Sequence, residues 1–132
     1  MPFSIEVAVQ PPDIDYLGHV SNLVYLRWVQ DVAIAHTTAL GLAAKDYLAL
    51  GKAWVVRKHQ IEYLRPAKSG DVLTVETRVS SMSVASSVRE TRILRGAEEL
   101  CRASTDWVFF DLARGRPVRV PPEVSARFPI EP

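Results

Sequence analysis

Two carboxylates and a histidine, Asp13, Asp15 and His19, are crowded into the stretch PPDIDYLGHVSNLVYLRW, residues 11–28. A carboxylate held against a carbonyl carbon can act as nucleophile or as general base for water, and a histidine can move protons near neutral pH. Aspartate is also common in turns and at helix caps, and from the pattern alone those are the commoner roles for Asp13 and Asp15. A histidine in a loop before a helix more often fixes the loop through backbone hydrogen bonds than takes part in catalysis. His36, further along, lies on an apolar arc and reads as a satisfied core histidine rather than a ligand.

The element that must position this loop follows it directly. From about Asn22 to Leu40 there is no proline or glycine, and Gly41 stands where a helix C-cap glycine is expected, so the spacing predicts one long helix. Arg27, Gln30, Asp31 and Thr38 fall on one narrow stripe, while apolar residues such as Val24, Tyr25, Trp28, Val29 and Val32 cover most of the rest. Such a helix is expected to be nearly surrounded by protein. Its start near Ser21 or Asn22 leaves backbone N–H groups unpaired at the positive end of the macrodipole, a place that favours an oxyanion.

Residues 3–9 alternate and are β-rich. After a connection that can be helical, GLAAKDYLALGK, four more strands are predicted over 53–65, 71–80, 84–95 and 99–112. Leu73, Val75, Thr77 and Val79 face one way, as do Cys101, Ala103, Thr105, Trp107 and Phe109. One strand, one helix and four strands on short turns imply an α+β fold in which an antiparallel sheet wraps a single buried helix. Val108 and Phe110 give the last strand apolar residues on its other face too, which argues for cover by a partner.

Composition narrows the function classes. The chain of 132 residues fits one domain, 1–132, and 48% apolar with 23% charged residues excludes disorder. A formal net charge of +1 supplies no overall field for nucleic acid or membrane. The stretch MPFSIEVAVQPPD has no basic residue and no apolar run of signal-peptide length, and no segment reaches membrane-spanning length, so no signal peptide or membrane span is expected. With one cysteine, Cys101, no intrachain disulfide can form; a soluble cytoplasmic protein is expected. Asp13, Asp15, His19 and His36 lack metal-ligand spacing, and His59 lies on a strand with poor alternation, so neither metal nor cofactor is expected. There is no G-x-S-x-G elbow and no glycine-rich phosphate loop. Cys101 reads as a packing residue.

The segments DIDYLGHVSNLVYLRW, RKHQIEYLRPAKSGD, TVETRVSSMSVASS and GRPVRVPPEV together resemble the hot-dog fold acyl-CoA thioesterases of the 4-hydroxybenzoyl-CoA thioesterase-like group. The resemblance covers nearly the whole chain and is most specific in the loop-helix segment, where an aspartate precedes GHV-x-N and a Tyr-x-x-Trp follows. Ser21 departs from the asparagine often found there, while Asn22 is kept. The resemblance implies about five strands around one long central helix and hydrolysis of an acyl-CoA thioester. It implies Asp15 as base or nucleophile, the Asn22 backbone N–H as the carbonyl-polarising donor, His19 in support and Tyr25 at the substrate. It also implies edge-to-edge homodimers with active sites at the subunit interface, which pair into tetramers.

Arg114, Arg116 and Arg119 stand in RGRPVR without an acid among them. They could clamp the phosphates of coenzyme A or form a solvated basic tail. Two rivals to the hydrolase remain open at this stage: a dehydratase or hydratase of acyl thioesters, relying on a histidine paired with an acid, and a non-catalytic acyl-thioester-binding module. The acyl group, and the choice between coenzyme A and acyl carrier protein, are not legible in the sequence.

Overall fold

The long helix α1 runs from Asn22 to Ala39 in the computed structural model, which describes residues 2–132. Its ends are fixed locally. The Ser21 hydroxyl accepts the Leu23 N–H at 3.2 Å, meeting one of the orphan donors of the first turn. At the other end Gly41, at φ +85°, lets the chain reverse, so that the Gly41 and Leu42 N–H groups return to the Thr38 and Thr37 carbonyls. Arg127 donates to the Leu40 carbonyl at 2.9 Å and closes that end.

The strands are β1 (Phe3–Ala8), β2 (Lys52–Tyr63), β3 (Val72–Met82), β4 (Ser86–Arg95), β5 (Glu98–Asp111) and a two-residue β6 (Arg116–Pro117). Short helices α2 (Ala44–Ala49) and α3 (Pro122–Ser125) complete the set. All strand pairs are antiparallel, and the order across the sheet is β1-β3-β4-β5-β2, with β6 added beside β5. This is the hot-dog arrangement, an α+β fold with one main helix against a curled sheet. β6 and α3 lie beyond the five strands and one helix expected. They arise because the chain after β5 folds back onto it, with Val118 N–H bonded to the Phe109 carbonyl.

The inward residues are those the alternation selected: Leu73, Val75, Thr77 and Val79 on β3, and Cys101, Ala103, Thr105 and Phe109 on β5, are all buried. Strand β2 alternates poorly because its register against β5 shifts between Val56 and Lys58, a bulge that inserts one residue. The expectation of a helix nearly surrounded by protein is corrected. Val24, Tyr25, Trp28, Val29, Val32, Ala33 and His36 face the sheet, but Leu23 is 76% and Ile34 54% exposed beside Arg27 and Asp31. The sheet of one chain curls around only one side of the helix. Val108 is likewise buried within the chain, so it requires no partner, and Phe110 is half-buried against Pro117.

Strand β2 does not pair with β3, its neighbour in sequence; residues 64–71 carry the chain from one side of β5 to the strand beyond β4. That crossover is pinned at Ala67, which is fully buried. The Ala67 N–H donates to the Tyr25 hydroxyl at 2.9 Å, and its carbonyl accepts the Val20 N–H at 3.0 Å. Replacing Tyr25 by Phe removes the only acceptor of a buried N–H. A loss of about 1–3 kcal/mol in unfolding free energy is expected from urea titration, with the fold retained.

Candidate active site

The loop before α1 is a small hairpin. Ile14 bridges Val20, the Asp15 N–H donates to the His19 carbonyl at 2.8 Å, and the Gly18 N–H donates to the Asp15 carbonyl at 3.0 Å. Gly18 takes φ +81°, which an L side chain adopts only under strain. Asp13 is buried beneath this hairpin: its carboxylate accepts from the Gln10 N–H at 2.9 Å and from Arg27 at 3.2 Å, and its carbonyl accepts the Ser21 N–H. All of its polar atoms are committed to holding the loop.

Asp15 is only partly buried. One carboxylate oxygen accepts the Leu17 N–H at 2.9 Å in a local turn, and the other has no partner among the described residues. His19 contributes its carbonyl to the hairpin, and its ring makes no hydrogen bond among the described residues. Asn22 is exposed as the first residue of α1, and its N–H has no acceptor among them either. The hairpin therefore presents a free carboxylate oxygen and a free helix-terminal donor on one end of the molecule. Tyr25, expected at the substrate, instead lies in the core with its hydroxyl on Ala67 and its ring edge-on to Trp28 and Tyr63.

A cavity of about 340 Å³ lies elsewhere, along the C-terminal half of α1. Its roof includes Gln30 and Ile34, roughly 18 Å along the helix from Asn22 for the latter. Trp54 and Trp107 form aromatic walls on the sheet side, α2 contributes Tyr47 and Leu48, and Lys52 stands at the edge. Lys52 is ion-paired with Asp111 at 3.0 Å, which holds that carboxyl below the usual carboxylate range together with the Arg114 N–H, the larger influence. Arg114 follows in the turn after Asp111, and Arg116 opens β6, in strand register with Asp111. Together with Arg119 they are exposed and pair with no carboxylate among the described residues.

Arg89 was not singled out from the sequence, although Ser87, Arg89, Thr91 and Ile93 alternate on β4. The opposite set, Val88, Glu90, Arg92 and Leu94, carries two apolar residues against one, so alternation alone favoured the wrong face as the inward one. Arg89 is 4% exposed, lines the cavity, and donates from Nη1 to His36 Nδ1 at 2.8 Å and to Thr77 Oγ1 at 3.3 Å. Because a guanidinium can only donate, His36 Nδ1 must be the acceptor and the histidine neutral. Burial, with the Arg89 charge added, lowers the His36 pKa from 6.5 to about 4. His59 donates or accepts at Thr105 Oγ1 at 2.9 Å, and burial lowers its pKa as well. Burial pushes the Cys101 thiol up to about 12, so it packs and does not react.

A curled antiparallel sheet against one long helix defines the hot-dog class. Comparison with known proteins agrees. Residues 9–128 match the family model of the thioesterase-like superfamily, and the chain belongs to that family. It is 32% identical over 127 residues to the acyl-CoA thioesterase YbgC of Haemophilus influenzae, covering 96% of this chain and 93% of that protein. It is 26% identical over 126 residues to the acyl-acyl carrier protein thioesterase ATL3 of Arabidopsis thaliana, covering 94% of this chain and 66% of the relative. A probable thioesterase from Bartonella henselae superposes with a TM-score of 0.86 at 26% identity, over 92% of this chain and 100% of the other. The protein SAV2348 from Staphylococcus aureus, solved in complex with CoA, shares the fold at a TM-score of 0.91 and 17% identity, covering 96% and 81%.

Between pH 6.5 and about 4 an unfolded chain binds a proton at residue 36 that the folded chain refuses. Stability is therefore expected to fall as pH drops through that window, by at most about 1.4 kcal/mol per pH unit from this group. Urea midpoints measured across the window for the parent and His36→Gln should show the shallower dependence in the variant.

Proposed function

We propose that the chain is a one-domain acyl-CoA thioesterase that works as a homodimer, each active site drawing on both subunits. The observation that carries this reading is the opposite placement of loop and cavity along β2. The Asn22 end of α1 lies over the end of β2, where the Tyr63 hydroxyl reaches the Asn22 carbonyl at 3.4 Å, and the cavity lies over the beginning, at Trp54. β2 is an edge strand of 12 residues, and such an edge needs cover. Antiparallel pairing of two β2 edges about a two-fold axis would bring Asp15 and Asn22 of the partner subunit beside this subunit's cavity. The exposed Leu23, Ile34 and Tyr63 lie on the same side and would be covered by the same pairing.

In such a site the acyl group occupies the cavity and the thioester carbonyl points at the Asn22 N–H. Asp15 either takes a proton from an attacking water or attacks the carbonyl carbon itself. In both cases negative charge builds on the carbonyl oxygen at the helix N-terminus, where the free donor and macrodipole stabilise it as it forms. The C–S bond then breaks and the coenzyme A thiolate leaves. On the general-base route it takes the proton that Asp15 drew from water; on the nucleophilic route it takes one from solvent, while a water then cleaves the acyl-aspartate anhydride to free acid and restores Asp15. Asp13 holds the hairpin, and His19 supports it through its backbone. Arg114 and Arg116, beside the Lys52–Asp111 pair at the edge of the cavity, and Arg119 further along are suited to the phosphates of coenzyme A. Pairing of two dimers would give a tetramer.

Light scattering at micromolar concentration is expected to give the mass of a dimer or a tetramer. A monomer would remove the shared site. Thiol release across short, medium, long and aromatic acyl-CoA substrates tests the activity. With a substrate so found, Asp15→Asn should lower kcat by roughly 10²-fold or more while the melting temperature and oligomeric state stay near the parent's, because asparagine keeps the turn but cannot act as carboxylate. Asp13→Asn should do the reverse, lowering stability with far less effect on kcat. A dispensable Asp15 with an essential His19 would favour a lyase, and ligand affinity without turnover a binding module.

A further inference from the structure

The buried charge in the cavity wall is not explained by the fold. Arg89 is 4% exposed and forms no ion pair with any carboxylate among the described residues. Placing an unpaired guanidinium in a protein interior costs several kcal/mol, so such charges normally have an anionic partner. Its two hydrogen bonds both leave from Nη1, to His36 and Thr77. A guanidinium has five N–H donors, and the edge made by Nε and Nη2 is the one that meets a carboxylate bidentately. That edge has no acceptor among the described residues, in a residue that lines the cavity.

Two further donors on the same wall lack acceptors. The Trp107 indole Nε1–H is buried without any hydrogen-bond partner. The Ser87 hydroxyl, on the inward face of β4 and directly across from Trp107, makes no hydrogen bond among the described residues. Lys52, the other cation of the cavity, differs in being matched by Asp111. The remaining walls are mostly apolar, with Trp54, Ile34, Leu48 and Phe128, and their polar members Gln30, Thr37 and Tyr47 already hydrogen-bond within the chain. The cavity thus has an apolar body and, at its base, an uncompensated positive group with unspent donors.

Resting on the thioesterase reading above, we propose that the acyl group this enzyme takes carries a carboxylate at its distal end, bound by Arg89. Strand spacing sets the reach: β4 is two strands in from the β2 edge, about 10 Å from where the thioester would lie. With a volume of about 340 Å³, at the small end for ligand pockets, the cavity suits a short dicarboxylic monothioester. The carboxylate cancels the buried charge, while a methyl-ended chain of the same length leaves it unpaired. The polar wall therefore both attracts one substrate and rejects the other.

The test compares adipyl-CoA with hexanoyl-CoA, matched in length and differing only at the far end. The kcat/KM ratio is expected to favour adipyl-CoA by tenfold or more in the parent. Arg89→Met should lower that ratio by roughly 10²-fold or more, and Arg89→Lys should retain part of it. A parent enzyme that prefers hexanoyl-CoA overturns the proposal, as does a ratio unmoved in a folded Arg89→Met; if that variant does not fold, the parent ratio and Arg89→Lys decide. Should no acyl-CoA across the short, medium, long and aromatic set be hydrolysed, the thioesterase reading fails separately, and titration of free adipate against tryptophan fluorescence judges the pocket. Saturable quenching that Arg89→Lys weakens and the uncharged 1-hexanol does not produce supports an anion-binding base, and no quenching by adipate overturns it.

Discussion

The contact between the Tyr25 hydroxyl and the Ala67 N–H ties together three parts of the chain that are remote in sequence. Tyr25 belongs to the helix, Ala67 to the crossover between β2 and β3, and Val20, held by the Ala67 carbonyl, to the hairpin that carries Asp15. A crossover that spans the sheet exposes backbone polar groups to the interior, and each must find a partner or cost free energy. Here the partners are the helix and the loop. The requirement to satisfy one buried peptide unit therefore also fixes where the helix begins, and with it the direction in which its first N–H groups point.

Around this pin the interior divides in two. One apolar cluster, with Trp28, Val29 and Leu73, lies under the N-terminal half of α1; a second, with Phe109, Val120 and Phe128, lies under its end. Between them runs a polar band in which Arg89 bonds His36 and Thr77, and Thr77 meets Thr91 at 3.2 Å. Apolar side chains of similar volume would cost less at these positions. The band makes sense as the base of a cavity rather than as a device of stability. The depressed His36 pKa is a consequence of the same placement, because burial and the adjacent Arg89 charge both disfavour a protonated ring, and only a neutral ring can accept from Arg89.

The Asp15 hairpin and the cavity are kept apart within one chain by the rigidity of α1. A helix that runs antiparallel to β2 delivers its capped N-terminus and its cavity-lining half to opposite ends of an edge strand. The exposed Leu23 and Ile34, on an otherwise polar stripe, mark the side of the helix that the chain's own sheet leaves uncovered. A two-fold axis through such an edge reverses one copy relative to the other, and this is the simplest operation that unites the two ends.

Local features were legible in the sequence because they depend on local physics. The limits of α1 follow from Ser21 and Gly41, and the inward faces of β3 and β5 from strict alternation. The reactive loop follows from the two aspartates, glycine and histidine before a capped helix. The roles of Asp13 and Asp15 were not separable in that way. Both suit turns, and only packing shows that Asp13 is enclosed by Gln10 and Arg27 while Asp15 keeps a free oxygen. The position of β2 at the far edge also required the tertiary structure, since strand order depends on long-range pairing that alternation does not encode, and its bulge concealed the alternation itself. Arg89 was hidden for the same reason: the outward face of β4 is the more apolar of the two in sequence, and which of them is buried is decided by tertiary packing, in which Arg89 meets His36 of the helix.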